Sequence, residues 1–389
     1  MLAGLLIGAA FAADPTGARP GAGAPELVWT PVFELRAGLD GTGTDGVSTD
    51  FGWSTRTRIG LQLDRKVLTA RASVAAGLGG PALPDVDATS ARTYLTLGEA
   101  WARYSLPLSS AMGLDATVGR QLVDVDDGVL LGDDDHRLLA RLPVALRVHV
   151  RAAPWDVDWF SGLYPDFPGA PTSTATGYAF HALRVGAGRE NPAWTWHLSG
   201  LGLLTDSTGV DPLRAEPLRA TVGLRGDTDL DRVRLRADAW TQPGTDGLAW
   251  MAGGQGGYAL GDDARVELAL RFDVLSGGED PQFHRPLADT QSRFGWLGWF
   301  DEGAAPTADG VTDVALVCDA VIAPQLRFSA AAHHFWLGGG VPYAPELDGD
   351  LRWYWSPLAA LHLRGAAMRG WAGTDGWAID TEASVDVHF

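Results

Sequence analysis

Arginines recur at alternate positions of apolar segments, and this spacing points to the binding of anions. Between residues 141 and 151, Arg147 and Arg151 fall in one row of a two-residue period, and Val148 and Val150 fall in the other. A guanidinium group offers a fixed fork of donors that binds carboxylates or phosphates in pairs. A ladder of such groups along a pore could pass an anionic sugar or acid from site to site, if each site is weak enough to release it.

The alternation itself predicts β-strands, because a period of two places the two rows on opposite faces of a strand. In the last segment, Ile379 and Val387 belong to the apolar row, and Asp380 and Asp386 belong to the polar row. If the apolar rows face lipid, the polar rows face a pore. The pore-lining candidates are then Arg58, Arg71, Glu99, Arg103, Arg141, Arg147, Arg151, Arg219, Arg225, Arg234, Arg236, Arg265, Glu267, Arg271, Arg327, Asp348, Asp350, Arg352 and Arg364.

These charges have two possible roles, and the sequence leaves both open. Arginines and acids on neighbouring strands could pair with one another and fill the interior. Alternatively, the arginines from Arg141 to Arg271 and the acids from Asp313 to Asp386 could form a basic wall and an acidic wall. Such walls would set a transverse field that selects charged solutes.

The connections between the alternating segments differ in length in a regular way. Short connections fall at 64–66, 152–154, 228–230, 261–263, 322–324 and 356–357. Long ones fall at 38–50, 77–91, 123–137, 164–175, 205–216, 276–310 and 338–345. Tight turns on one rim and long loops on the other are typical of outer-membrane barrels, which have an even number of strands. Residues 28–389 therefore predict an all-β, antiparallel transmembrane barrel of about 18 strands, with short periplasmic turns and long extracellular loops.

The beginning of the chain reads as an export signal. Residues 1–12 contain a short apolar core and the Ala10-Phe11-Ala12 cleavage pattern of a signal peptide. Residues 13–27 predict a flexible segment that is rich in Pro, Gly and Ala. Phe389 is the last residue and lies on the apolar row, so we expect it to be the signal that barrel-assembly machinery recognises. The expected location is the outer membrane of a Gram-negative bacterium, with membrane lipid as a partner.

Composition excludes several other classes of function. The formal net charge of −18 argues against a nucleic-acid partner, because phosphate binding needs a basic surface. A single cysteine excludes a disulfide framework and CxxC metal sites. Asp124, Asp126 and Asp127 are weak candidates for a calcium site, but their spacing favours a solvated acidic loop. No cofactor is expected, and the absence of a G-x-S-x-G sequence or similar motif argues against an enzyme.

The longest connection, 276–310, carries an unusual number of aromatic residues for an outer loop. It could fold into the mouth as a constriction or lid, or it could pack over the rim. The residues that would form the constriction are Arg285, Arg293, Phe294, Trp296, Trp299 and Asp301.

A series of short motifs resembles the alginate-export family of outer-membrane porins. The motifs are Leu97-Gly98-Glu99-Ala100-Trp101, Gly119-Arg120-Gln121-Leu122, Asp126-Asp127-Gly128, Arg293-Phe294-Gly295-Trp296, His333-His334-Phe335 and Pro345-Glu346-Leu347-Asp348. The resemblance spans roughly residues 97–389 and implies an 18-stranded barrel with a charged lumen. The first hypothesis is therefore a channel for a small polar or anionic solute or a polysaccharide. A non-conducting barrel that acts as an adhesin or structural protein is the second hypothesis, and an outer-membrane enzyme is the third.

Overall fold

The computed structural model describes residues 27–44, 47–79, 92–123, 125–126, 130–131, 142–165, 177–191, 194–206, 219–244, 247–261, 265–277, 310–369 and 377–388. The apolar–polar alternation of the sequence becomes strand throughout these ranges, because it lets each strand present one apolar and one polar face. The strands are β1 Val28–Thr44, β2 Val47–Arg65, β3 Leu68–Gly79, β4 Arg92–Pro107, β5 Met112–Arg120, β6 Val144–Ala152, β7 Trp155–Pro165, β8 Gly177–Asn191, β9 Trp194–Asp206, β10 Arg219–Leu230, β11 Val233–Pro243, β12 Leu248–Leu260, β13 Val266–Ser276, β14 Gly310–Ala323, β15 Leu326–Leu337, β16 Val341–Ser356, β17 Ala359–Arg369 and β18 Trp377–His388.

The strands form a single closed sheet, in which each strand pairs antiparallel with its neighbours in sequence. Closure is made by β1 and β18, whose register runs from Glu34 opposite His388 to Thr44 opposite Ala378. Closure leaves no edge strand, which is the condition that lipid imposes on a spanning sheet. The prediction of an antiparallel barrel of about 18 strands is confirmed. No helix within the described residues is long and apolar enough to cross a membrane.

The pairing register separates two faces around the whole barrel, because residues that pair across strands point to the same side. Leu270 is paired with Leu316, and both side chains are exposed on the outward face. Cys318 pairs with Leu268 and therefore lies on that face as well. Asp273 pairs with Asp313 on the opposite, inward face, where both are buried. The outward face is therefore apolar, as contact with lipid requires, and the charges are kept inside.

Exposed aromatic residues surround the barrel near the end where the short turns lie. They occupy outward positions in six strands: Trp29, Tyr104, Trp155, Trp196, Tyr258 and Trp353. Trp355 follows Trp353 on the same face, and the centroids of their rings are 6.1 Å apart. Tyr and Trp prefer the membrane–water interface, where an apolar ring and a polar edge are both satisfied. This girdle marks one boundary of the membrane-spanning region.

The short connections lie on the rim that also holds the start of β1 and the end of β18, as the even strand number requires. Two predicted long loops are wrong. Most of 38–50 is strand, because β1 continues to Thr44 and β2 begins at Val47. Within 338–345, the short 3-10 helix Gly338–Gly340 leads directly into β16 at Val341. Gly, Thr and Asp indicate turns in a sequence, but here the backbone of the Gly- and Asp-rich segment pairs as strand.

The inside of the barrel contains an apolar cluster beside its charges. Inward residues of β7 to β9, including Phe160, Phe180 and Leu201, pack with Val123 and Leu131 of the connection between β5 and β6. Val125 and Leu131 also form an isolated β-bridge. Part of the β5–β6 connection, which the sequence predicted to be an outer loop, therefore folds against the inner wall.

Candidate solute pathway

Most of the predicted pore-lining residues lie on the inward face. This placement follows from the register for Arg58, Arg71, Arg103, Arg147, Arg151, Arg219, Arg225, Arg234, Arg236, Glu267, Arg271, Arg327, Asp348, Asp350, Arg352 and Arg364. Glu99 is buried beside this face at an irregularity between β3 and β4. Arg265 precedes β13, and its carbonyl oxygen accepts a hydrogen bond from the backbone N–H of Val321. Arg141 lies outside the described residues.

Several other predicted sites also lie outside the described part of the chain. These are the constriction residues Arg285, Arg293, Phe294, Trp296, Trp299 and Asp301, the signal peptide, most of the segment 13–27, Asp124, Asp127 and Phe389. Asp126 is described, and its side chain is almost buried. The described residues contain no group of three or more His, Cys, Asp or Glu side chains that could hold a metal ion.

A buried ionic network joins the first four strands on the inward face. Glu34 accepts from Arg56 at 2.5 Å and from Arg58 at 2.9 Å. Glu99 lies 2.9 Å from the Nη2 atom of Arg71 and accepts a hydrogen bond from Trp101 Nε1 at 3.0 Å. Arg58 also approaches Glu99 at 3.9 Å, so it links the two carboxylates. Sequence reasoning selected Arg58, Arg71 and Glu99 for the site and missed Arg56, although Arg56 belongs to the same row.

Nearer the short-turn rim, the cation is the more exposed partner of several ion pairs. Arg151 has 64% of its side chain exposed and its partner Asp115 has 21%. The corresponding values are 65% and 14% for Arg234 and Glu267, and 48% and 5% for Arg352 and Asp350. The acids hold the arginines against the wall, while the guanidinium groups face the lumen.

Two further arginines near this rim rest on aromatic rings. The guanidinium carbon of Arg103 lies 5.2 Å from the centroid of the Trp101 ring, and Arg103 donates to Thr117 Oγ1 at 3.2 Å. The guanidinium carbon of Arg327 lies 5.7 Å from the Tyr354 ring centroid. Among the described ion pairs, neither arginine has a carboxylate partner. A ring face orients a cation without neutralising it, so both charges remain available to a solute.

Strands β8 to β10 show the opposite arrangement, with buried arginines. Arg184 donates from Nε to Asp126 at 3.1 Å and also binds Asp156. Arg225 donates to the backbone oxygen of Asp126 and to Asp227 Oδ2, the latter at 3.1 Å. The expectation that Asp126 belongs to a solvated acidic loop is wrong, because these contacts draw it onto the inner wall. Apolar residues within the acidic stretch, such as Val123 and Val125, were the sequence signal for this inward fold.

The described residues do not form a basic wall opposite an acidic wall. Inward acids accompany the arginines throughout β6 to β13, and they include Asp156, Asp158, Asp227, Asp229, Asp238 and Asp273. Strands β14 to β18 agree with the acidic part of the prediction, because their inward acids outnumber their inward arginines. The sequence assignment missed acids that lie next to short turns, such as Asp156 at the start of β7 and Asp229 at the end of β10.

A cavity of about 950 Å³ opens near the short-turn rim. Its polar lining comes from four strands, and it includes Arg151, Asp156, His197, Asp227 and Asp229. Trp155 and Trp196 also border the cavity. The cavity provides space for a small molecule beside charged groups on the inner wall.

A closed barrel with an apolar outer face, an aromatic girdle and a charged interior defines an outer-membrane β-barrel. The predicted location in the outer membrane of a Gram-negative bacterium is confirmed. Three solved structures have the same fold. OccAB4 of Acinetobacter baumannii has a TM-score of 0.64 and 13% identity, with 94% of this chain and 98% of that chain covered. OpdK of Pseudomonas aeruginosa, solved with vanillate, has a TM-score of 0.62 and 13% identity, with 92% and 99% covered.

The third structure, OccK11 of Pseudomonas aeruginosa, has a TM-score of 0.61 and 14% identity, with 93% of this chain and 96% of that chain covered. At these identities the likeness shows the fold. No protein-family model and no curated protein matches the sequence. The three structures do not support the specific resemblance to alginate-export porins.

Proposed function

We propose that the protein is a passive outer-membrane channel for a small, polar, anionic solute. The observation that carries this proposal is the unequal exposure of the ion pairs near the short-turn rim. In the pairs Arg151–Asp115, Arg234–Glu267 and Arg352–Asp350, the arginine is more exposed than the acid. At these three positions, a solute in the lumen therefore meets the guanidinium group before it meets the carboxylate.

The pairing also keeps each solute site weak, which conduction requires. A guanidinium that already contacts a protein carboxylate has fewer donors for a solute, so the solute can leave. Arg103 and Arg327 add positive charges that are held by rings instead of acids. The OpdK structure with vanillate, which is a small carboxylate, offers a structural neighbour with a ligand of this class.

Conductance in planar bilayers under a KCl gradient tests the proposal. We expect open channels whose reversal potential shows a preference for chloride. A clear cation preference would overturn the proposal that the solute is anionic. An absence of conductance would favour a non-conducting barrel that acts as a surface or structural protein. Flux into lipid vesicles that contain the protein compares gluconate with neutral sorbitol, which is of similar size. We expect gluconate to enter faster.

An anionic polysaccharide would present the same carboxylates as a small acid, so size separates the two solutes. Blocking of the single-channel current by short and long oligouronates addresses this point. For a small-solute channel, we expect long chains to block the current without crossing the membrane.

A further inference from the structure

We propose that β8, β9 and β10 form a carboxylate-binding site, and that the chain's own Asp126 occupies it. This inference rests on the proposed channel function and names the solute site within it. Arg184 Nε donates to Asp126 Oδ1 at 3.1 Å, and Ser199 Oγ donates to Asp126 Oδ2 at 3.4 Å. Arg225 donates to the backbone oxygen of Asp126.

The donors come from adjacent strands whose register brings them together. Arg184 of β8 pairs with Leu201 of β9, and Ser199 of β9 pairs with Arg225 of β10. His197 lies one inward position further along β9, and its Nε2 atom is 3.1 Å from Arg184 Nη2. Since an arginine can only donate, this ring nitrogen accepts. The wall itself therefore orients the guanidinium group, independently of Asp126.

Asp126 does not belong to a strand of the barrel wall. It belongs to the connection between β5 and β6, and its φ angle of 54° lies in the left-handed region that Asp adopts more readily than most residues. Its neighbour Val125 is buried in the apolar cluster and bridges to Leu131. The connection thus presents Asp126 to the wall as a tethered ligand. Its carboxylate makes the contacts that a solute carboxylate would make.

The 950 Å³ cavity gives a solute access to the same groups. Three residues line the cavity and also contact the arginines of the site: Asp156 and His197 touch Arg184, and Asp227 touches Arg225. A solute that enters from the short-turn rim therefore reaches the residues that contact the two guanidinium groups. It binds there by displacing Asp126, whose tether gives it a high effective concentration. Asp126 acts as a built-in competitor, which keeps the solute affinity low.

Binding of benzoate to the full-length protein in detergent tests this inference without a conductance measurement. Isothermal titration calorimetry measures the affinity for benzoate directly. In Asp126→Asn we expect benzoate to bind at least roughly tenfold more tightly, which corresponds to the release of one charge-assisted hydrogen bond. Asp126→Ser is the second variant, because it also removes the charge while it keeps a small polar side chain. Adding Arg184→Lys to either variant should abolish the gain.

Asp319→Asn is the matched control, since Asp319 is an exposed inward acid on β14 that bonds Ser329 instead of the site. We expect this control to leave benzoate affinity unchanged. An equal gain in Asp126→Asn and Asp319→Asn would overturn the inference, because net charge alone would explain both. An absence of benzoate binding in the Asp126 variants would overturn it as well. A protein that does not conduct but shows the Asp126-specific gain would contradict the channel function and retain the site.

Discussion

The Nδ1 atom of His333 lies 2.8 Å from the Oδ2 atom of Asp313 on the neighbouring strand. On the other side, the Nε2 atom of His333 lies 3.3 Å from Asp348 on the next strand. All three side chains are almost completely buried. Both ring nitrogens face carboxylates, and only the doubly protonated imidazolium can donate to both. His333 therefore supplies positive charge between two buried acids in the wall formed by β14, β15 and β16.

Replacing His333 with Asn should destabilise the barrel strongly. Removal of one partner from a buried ionic arrangement typically costs about 3–5 kcal/mol. Arg271, whose Nη2 atom lies 3.7 Å from Asp313, compensates part of the acidic charge, so we expect a loss near the lower end of that range. Urea unfolding in lipid vesicles measures the loss. His181→Asn is the control, since this exposed histidine bonds only Ser161 among the described contacts, and it should change the free energy of unfolding by no more than about 1 kcal/mol. A His333→Asn protein as stable as the wild type would show that the acids do not need this cation.

The Glu34 carboxylate should be equally important at the closure of the barrel. It binds both Arg56 and Arg58, and all three side chains are buried. Glu34→Gln leaves two arginines with a weaker acceptor, so we expect a loss of about 3–5 kcal/mol in the free energy of unfolding. Glu382→Gln provides the comparison, because Glu382 is 4.0 Å from Arg364 and more exposed. It should cost at most about 1 kcal/mol, and equal losses in the two variants would contradict the prediction.

Arg103 and Arg327 should contribute to ion selectivity more than to stability. Both are exposed and rest on aromatic rings. The double substitution with Gln should reduce the chloride preference seen in the reversal potential, while the free energy of unfolding changes by only about 1 kcal/mol. Arg369→Gln removes the same kind of charge from the outward face at the end of β17, and the selectivity should stay constant. A reversal potential that responds equally to all three positions would point to net charge instead of lumen position.

Replacing Gly119 with Ala should destabilise the barrel. The φ angle of Gly119 is 125°, and a Cβ atom there would lie 2.2 Å from the carbonyl oxygen of Ala100. Gly119→Ala therefore forces the backbone of β4 or β5 to move, at a cost of about 1–3 kcal/mol or more. The free energy of unfolding, measured by urea titration in lipid vesicles, should fall by this amount. Gly202→Ala should fold normally, because its Cβ would meet nothing within 4 Å.

The strands and their faces could be predicted from the sequence because one physical rule governs both. Lipid outside the barrel and charge inside it impose a period of two. The faces of Leu270 and Arg271 can therefore be assigned from the sequence without knowing which strands they pair with. The ends of the strands were less predictable. The sequence around Gly41 and Asp50 does not alternate between apolar and polar residues, although its backbone is paired in β1 and β2.

The arrangement of the interior could be predicted least. Face assignment does not reveal which acid neutralises which arginine, because that depends on register and on the tilt of the strands. It also cannot show that Asp126 returns from a connection to bind Arg184, 58 residues further along the chain. Contacts of this kind depend on the whole barrel. The local sequence indicates them only weakly, as with Val123 and Val125 within an acidic stretch.

The pairing of β1 with β18 has a consequence for biogenesis. The last twelve residues of strand complete the hydrogen bonding of the first strand, so a nascent chain at any earlier point holds two ribbons of unsatisfied N–H and C=O groups. Such a chain is not stable in a bilayer, and its apolar outward face stays exposed to water until β18 has been made. Insertion must therefore follow synthesis of β18, and a chain truncated before Trp377 should be a substrate for proteolysis instead of forming a smaller barrel.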